Sequence, residues 1–252
     1  MSFETLPAKT ASLLEESRPT RSLDALRLDP AILRSLRILK LENRLRGELA
    51  RNGLAPRNRL LFYGEPGNGK TATAEALAAA LDAPLLTARY DELINSHLGA
   101  SEKAVVAAFK STAGRRCVLF FDEADSLLGA RTTVAQSCDA ARNNQLNLCL
   151  QQLDRLDNRV LFIAATNRYD DLDPAVKRRF DERFYFGPPA DDDQRAYLVD
   201  RIAAMPLFAK PKYRAAAARA LELRAPSYAE LEHQLKNLAR ELILKSLQNK
   251  ET

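Results

Sequence analysis

The stretch Gly64-Glu65-Pro66-Gly67-Asn68-Gly69-Lys70-Thr71 constrains this chain more than any other feature. It has the form G-x-x-x-x-G-K-[ST]. The apolar run Arg59-Leu60-Leu61-Phe62-Tyr63 before it reads as a strand, and the Ala-rich stretch Thr71 to Leu81 after it reads as a helix. Glycines in such a loop let successive backbone N–H groups turn inward around phosphate oxygens. The helix that follows aims the positive end of its dipole at the same anion. Lys70 supplies a point charge to the β- and γ-phosphates, and the Thr71 hydroxyl is a ligand for the Mg²⁺ that bridges them. Gly64, Pro66, Gly67, Asn68, Gly69, Lys70, Thr71 and Ala72 are therefore the expected ATP-binding residues.

A second element belongs with the first. The buried-strand pattern Cys117-Val118-Leu119-Phe120-Phe121 ends in two carboxylates, Asp122 and Glu123. A side chain at the carboxyl end of a parallel strand can reach a nucleotide site. Asp122 is expected to hold Mg²⁺ through water. Glu123, pointing differently, is expected to orient and deprotonate a water for attack on the γ-phosphate. Residues 122–125 spell Asp-Glu-Ala-Asp, a string also found in RNA helicases, but the rest of the helicase constellation is not visible.

Around these elements, strand and helix patterns alternate. A helix is expected from Asp29-Pro30 to about Arg51, stopped by Asn52-Gly53, with Leu33, Leu36, Leu41 and Leu45 on one face. Further strands are expected at Pro84–Thr87, Val160–Ala165 and Phe184–Phe186, and further helices at Glu102–Lys110 and Asn143–Leu153. Alternation of this kind predicts a parallel sheet covered on both faces. After Pro189 no strand pattern remains. Ser227-Tyr228-Ala229-Glu230 has the form of a capping box opening a long helix to about Leu247. The expected layout is a flexible tail at 1–20, an α/β domain at 21–189 and an all-helical domain at 190–252.

Composition excludes several alternatives. The chain has 252 residues, 46% of them hydrophobic, enough for a sizeable core. No unbroken apolar run exceeds the six residues of Val160 to Ala165, so no membrane-spanning helix is expected. MSFETLPAKT lacks the basic start and apolar stretch of a secretory signal, which makes the cytoplasm the default. Cys117, Cys138 and Cys149 are too few and too scattered for a disulfide framework, and two histidines make a His-rich metal site a poor candidate. The net charge of +5 sits wholly in residues 1–60, which hold 12 Lys/Arg against 7 Asp/Glu. Such a surplus can attract acidic partners or serve as a solvated helix face.

A longer stretch, Ala165-Thr166-Asn167-Arg168 through Asp173-Pro174-Ala175 to Arg178-Arg179-Phe180-Asp181, joins the two motifs. Together they resemble the AAA ATPase family of the AAA+ superfamily, over about Ser22 to Leu247. The resemblance implies a P-loop NTPase fold with a five-stranded parallel sheet between helices and a small helical lid. In the phosphate loop the resemblance implies that Glu65 and Asn68 face outward. It implies that Asn167 helps place the attacking water, and that Arg178 and Arg179 are arginine fingers acting on the ATP of a neighbouring subunit, Arg183 being a lesser candidate. Ser96 to Lys103 is similar to the first pore loop, with His97 where the family has an aromatic, then Leu98 and Gly99. Arg131 to Asp139 corresponds to the second. Ser227-Tyr228-Ala229 resembles the lid's Ser-Gly-Ala segment beside adenine, with Ala229 as a nucleotide contact and Tyr228 in place of Gly. Arg178-Arg179-Phe180 is similar to the branch of microtubule-severing, membrane-scission and sporulation-type ATPases, including small bacterial proteins paired with subtilisin-like proteases.

The activity implied is Mg²⁺-dependent ATP hydrolysis by a homo-oligomeric ring, six subunits being the family expectation, that remodels a protein partner directly or through an adaptor. Two alternatives stand beside it: a nucleic-acid-associated ATPase using the basic first 60 residues, and a slow nucleotide-controlled binding switch.

Overall fold

A computed structural model describes residues 13–88, 100–130 and 137–251. The chain divides into two compact units, Met1–Gly64 with Lys70–Tyr185, and Glu65–Gly69 with Phe186–Thr252.

The first unit is an α/β structure built on strands β1 (Leu14–Ser17), β2 (Arg59–Tyr63), β3 (Leu85–Ala88), β4 (Cys117–Phe121), β5 (Val160–Thr166) and β6 (Glu182–Tyr185). Their order across the sheet is β1-β3-β4-β5-β2-β6, with every neighbouring pair parallel except β1 with β3. The helices are α1 (Pro30–Arg44), α2 (Arg46–Arg51), α3 (Lys70–Ala80), α4 (Ala100–Lys110), α5 (Asp125–Leu128), α6 (Ser137–Asp154) and α7 (Pro174–Lys177). β4 and β5 are buried along their whole length, as expected of central strands covered on both faces. Phe121 and Phe162 meet edge-on at 5.2 Å, and Phe109 and Phe180 pack against the same pair. The chain leaves β2, crosses to β3, and returns through β4 to β5 beside β2. Ligands of open α/β sheets bind outside the carboxyl ends of the strands where such a path reverses.

Two expectations are corrected. Among the described residues the sheet holds the five expected parallel strands and a sixth, because Leu14–Ser17, within the stretch read as a flexible tail, pairs antiparallel with β3. That strand carries one buried residue, Leu14, followed by exposed Glu15, Glu16 and Ser17. An edge strand held by backbone pairing and by the ion pair of Glu16 with Arg115 at 3.0 Å shows no hydrophobic alternation. The long first helix is interrupted at Leu45, and its buried face is Ile32, Leu36 and Leu39. Leu41 and Leu45, assigned to that face from spacing, are exposed.

The second unit is helical: α8 (Asp191–Ala203), α9 (Arg214–Ala220) and α10 (Tyr228–Glu251). Leu198, Phe208, Ala220, Leu231 and Leu235 form its core. The Ser227 hydroxyl accepts from the Glu230 N–H at 3.2 Å, so the expected cap opens α10. Glu232 accepts from Arg201 at 2.6 Å and 2.8 Å and from the Tyr197 hydroxyl at 2.9 Å. Arg201 foremost holds the Glu232 carboxyl down at about 2, while burial and the Glu232 bond push the Tyr197 phenol up to about 12. The Tyr228 ring lies 5.1 Å from that of Tyr197, so this side chain is packed within its own unit.

Candidate active site

The loop following β2 has the backbone that its glycines allow. Gly67 sits at φ +80° and Gly69 at φ +94°, conformations that L side chains rarely adopt. The two differ in surroundings. A Cβ on Gly69 would meet nothing within 4 Å, whereas one on Gly67 would stand 2.7 Å from the Ala229 Cβ and 3.0 Å from the Ser227 Oγ. The Gly67 carbonyl accepts from the Ala229 N–H at 3.2 Å. Ala229, expected at adenine, thus supports the loop backbone at this point.

Asn68 departs from the expectation. It is 4% exposed rather than facing outward, and neither atom of its side-chain amide has a hydrogen-bond partner among the described residues. The preceding residue, Gly67, lies against Ser227 and Ala229. Leaving such an amide unpaired costs about 1–3 kcal/mol. Glu65 is exposed, as expected.

Lys70, the first residue of α3, is 7% exposed, and its Nζ donates to the Gly64 carbonyl at 2.7 Å. Gly64 itself is anchored to the sheet by its N–H, which reaches the Thr166 carbonyl at 3.3 Å. One residue on, the Thr71 hydroxyl donates to Asp122 Oδ2 at 2.9 Å. Residues 51 positions apart in sequence therefore share one hydrogen bond at the carboxyl edge of the sheet. A hydroxyl and a carboxylate side by side are hard oxygen donors that suit Mg²⁺, which keeps several waters and takes few protein ligands. No cluster of three or more His, Cys, Asp or Glu that could hold a metal occurs among the described residues. An ion shared with phosphate oxygens needs none. The unpaired Asn68 amide and the open side of Gly69 also fit a ligand bound along the loop.

Asp122 has a second bond, its Oδ1 accepting the Glu123 N–H at 3.0 Å. Glu123 is at φ +48°, in the left-handed region, and its side chain is exposed at the strand end. That conformation costs a non-glycine residue about 1–2 kcal/mol. It ends the extended backbone of β4 at this residue. Asn167 is exposed just past the end of β5.

Further along, Asp173 caps α7 by accepting the Ala175 N–H at 2.7 Å, with Pro174 at the first helical position. Val176 and Phe180 are buried and bracket the two arginines. Asp181 fixes the far end, accepting the Asn58 and Arg59 N–H groups at 3.0 Å and 2.9 Å. Between these anchors the arginines diverge. Arg179 donates to Asp154 at 2.8 Å and 3.0 Å and to the Ala175 carbonyl at 3.0 Å. These bonds to Asp154 raise the Arg179 pKa and draw that of Asp154 below its usual range. Arg178 is exposed and makes no ion pair among the described residues. Arg183 donates to the Tyr169 hydroxyl at 3.4 Å. His97, Leu98 and Gly99 lie outside the described residues, as do residues 131–136 of the second expected pore loop.

Sequence reasoning missed Thr166 and Asp125. Thr166 is 1% exposed, and its hydroxyl donates to Asp125 Oδ1 at 2.7 Å. Both residues were in view, one beside Asn167 and one ending the Asp-Glu-Ala-Asp string. Only the fold shows that they touch.

Gly67→Ala is expected to remove nucleotide binding, because the added methyl overlaps Ala229 and the φ is strained. A fluorescent-nucleotide titration should show affinity at least about 10²-fold weaker, a loss of ~2.7 kcal/mol. Gly69→Ala, strained but unobstructed, should lose less. Equal affinities for the two variants would contradict the packing described.

Residues 60–188 match the family described as "ATPase family associated with various cellular activities (AAA)". An AAA family ATPase of Sinorhizobium fredii, y4kL, is 34% identical over 90% of this chain and 66% of its own length. The peroxisomal ATPase PEX6 of Arabidopsis thaliana is 39% identical over 63% of this chain, which covers 17% of that protein. Protein CdcH of Halobacterium salinarum is 34% identical over 81% of this chain and 27% of its own length. The chain thus spans about two thirds of one of these relatives and less than a third of the other two. No helix among the described residues is long and apolar enough to cross a membrane.

Proposed function

The chain belongs to the AAA ATPase family, and on that premise we propose that it hydrolyses ATP with Mg²⁺ as a homo-oligomeric ring that remodels a protein partner. One observation carries the reading: the 2.9 Å bond between Thr71 and Asp122, which joins the phosphate loop to the acidic strand end. Phosphoryl transfer asks little covalent chemistry of a protein, and positioning and charge do most of the work.

In this reading Gly64 to Ala72 cradle the phosphates through backbone N–H groups. Lys70, now on the Gly64 carbonyl, moves its ammonium onto the β- and γ-phosphates. Thr71 and Asp122 would hold Mg²⁺, which when bound would supply charge neutralisation for phosphoryl transfer. Glu123 takes the proton of the attacking water, and Asn167 helps to orient that water. The helical unit from Phe186 onward acts as the lid, its Ala229 backing the loop at Gly67. Of the two arginines we assign the finger that crosses to the neighbouring subunit to Arg178, since Arg179 is already occupied by Asp154.

The partner is a protein, engaged directly through the segment holding His97, Leu98 and Gly99 or through an adaptor. The Arg178-Arg179-Phe180 stretch supports a place in the severing and sporulation-type branch, which would include small bacterial ATPases paired with proteases. Buried Cys117 and Cys149, with thiols pushed up to about 12 by burial, suit a reduced cytoplasmic setting.

The test is ATP turnover per subunit against protein concentration, with Mg²⁺ present. A site completed by a neighbour gives specific activity that climbs with concentration. Zero turnover at all concentrations overturns the ATPase reading, and constant nonzero turnover overturns the shared site.

A further inference from the structure

Two hydrogen bonds tie the turn after β4 to the tip of β5. The Ala124 N–H donates to the Ala165 carbonyl at 2.8 Å, and the Thr166 hydroxyl donates to Asp125 Oδ1 at 2.7 Å. The Thr166 oxygen also accepts, from the Arg168 N–H at 2.9 Å. A hydroxyl offers one donor and two acceptor positions, so Thr166 serves as a relay between the Asp125 carboxylate and the backbone beyond Asn167. Thr166 does so while 1% exposed, and a hydrogen bond to a carboxylate is short and strong.

The placement of this relay gives it consequence. Asp122 and Glu123 precede Asp125 on the same turn. Asn167 lies between Thr166, which gives the hydroxyl, and Arg168, which gives the N–H. Glu123 is at φ +48°. A residue in that region persists only where its surroundings over-determine it. The Asp122 carboxylate holds the Glu123 N–H from one side, and the Ala124 and Asp125 bonds hold the chain immediately after it.

We propose that Thr166 and Asp125 form a positioning clamp that fixes the distance and direction of the Asp122 and Glu123 carboxylates relative to Asn167. The clamp rests on the reading of this edge as an ATPase centre. Neither residue is assigned contact with nucleotide. The bonds act through neighbours, so their loss should alter turnover and leave affinity nearly alone, because the phosphate loop is tied to β5 by the backbone bond from the Gly64 N–H to the Thr166 carbonyl, which these side-chain changes leave in place.

The experiment compares Thr166→Val, Thr166→Ser, Asp125→Ala and the Val/Ala double variant in the full chain. ATP affinity comes from nucleotide titration and turnover from phosphate release. Thr166→Val keeps the shape of threonine without the hydroxyl. It should lower kcat by about 10–100-fold, the scale of a misplacement of roughly 1 Å. The dissociation constant for ATP should stay within about threefold of the unmodified protein. Asp125→Ala should behave alike. The double variant should be no slower than the slower single one, since both substitutions break the same bond. Thr166→Ser, which restores the hydroxyl, should recover turnover to within about threefold.

Turnover at the unmodified level in Thr166→Val overturns the clamp, as does failure of Thr166→Ser to recover it, multiplication of the two single effects, or affinity falling in step with turnover. Melting temperature is measured for each variant. If Thr166→Val does not fold, Asp125→Ala at the half-buried start of α5 carries the same comparison. Absence of hydrolysis by the unmodified protein overturns the ATPase reading. Normal hydrolysis by both that protein and the Val variant overturns the clamp alone.

Discussion

Glu123→Gln is expected to lower ATP turnover by about 10²–10⁴-fold, the usual contribution of a positioned general base. The substitution keeps the length and shape of the side chain and removes only its capacity to take a proton. Backbone geometry should survive, because the bond from the Glu123 N–H to Asp122 Oδ1 does not involve the side chain. The Thr71–Asp122 contact is likewise untouched, so Mg²⁺ and ATP should bind as before. The predicted variant is one that loads nucleotide and holds it. Equilibrium binding of labelled ATP together with single-turnover hydrolysis checks both halves. Turnover within threefold of the unmodified protein would sink the assignment of Glu123 as base. Loss of binding would show that the two acids do not divide their work as described. A held ATP also separates ring remodelling from switching: a machine should stall in this variant, and a binding switch should remain engaged with its partner.

The phosphate loop and the acidic strand end are legible in the sequence because each motif is local. Gly67 and Gly69 must adopt positive φ wherever that loop forms, and a strand ending in Asp122-Glu123 delivers its acids to one edge of a parallel sheet. Contacts that depend on folding were not legible. Nothing in the spacing of Asp125 and Thr166 says that strands β4 and β5 lie side by side with those residues at the same edge. Asn68, a polar residue inside a glycine-rich loop, reads as outward-facing, and its burial belongs to the folded surroundings of the loop rather than to its spacing. Leu41 and Leu45 illustrate the opposite failure: apolar residues at helical spacing that stay exposed, where the stripe of Ile32, Leu36 and Leu39 takes the core instead. Leu14–Ser17 escaped notice because an edge strand with a single buried residue leaves no period to read.

Arg178 and Arg179 are indistinguishable as neighbours in a sequence, and their environments predict unequal results. Arg178→Ala should cost about 10³–10⁵ in turnover, the worth of an arginine finger in other phosphate-loop enzymes. It should leave melting temperature unchanged, because the exposed side chain has no ion pair among the described residues. Arg179→Ala breaks the pair with Asp154 and the bond to the Ala175 carbonyl, which brace the segment carrying Arg178. Its loss of turnover should be smaller and accompanied by a lower melting temperature. Mixing decides whether Arg178 acts across an interface. Arg178→Ala supplies an intact loop, Asp122 and Glu123; Glu123→Gln supplies an intact finger. Neither alone should hydrolyse ATP appreciably. In a mixed assembly, a subunit carrying Arg178→Ala beside one carrying Glu123→Gln has a complete site at their junction, so turnover should reappear on mixing and depend on the ratio of the two. If Arg178 served its own subunit, no junction would be complete and the mixture would stay as inactive as its components.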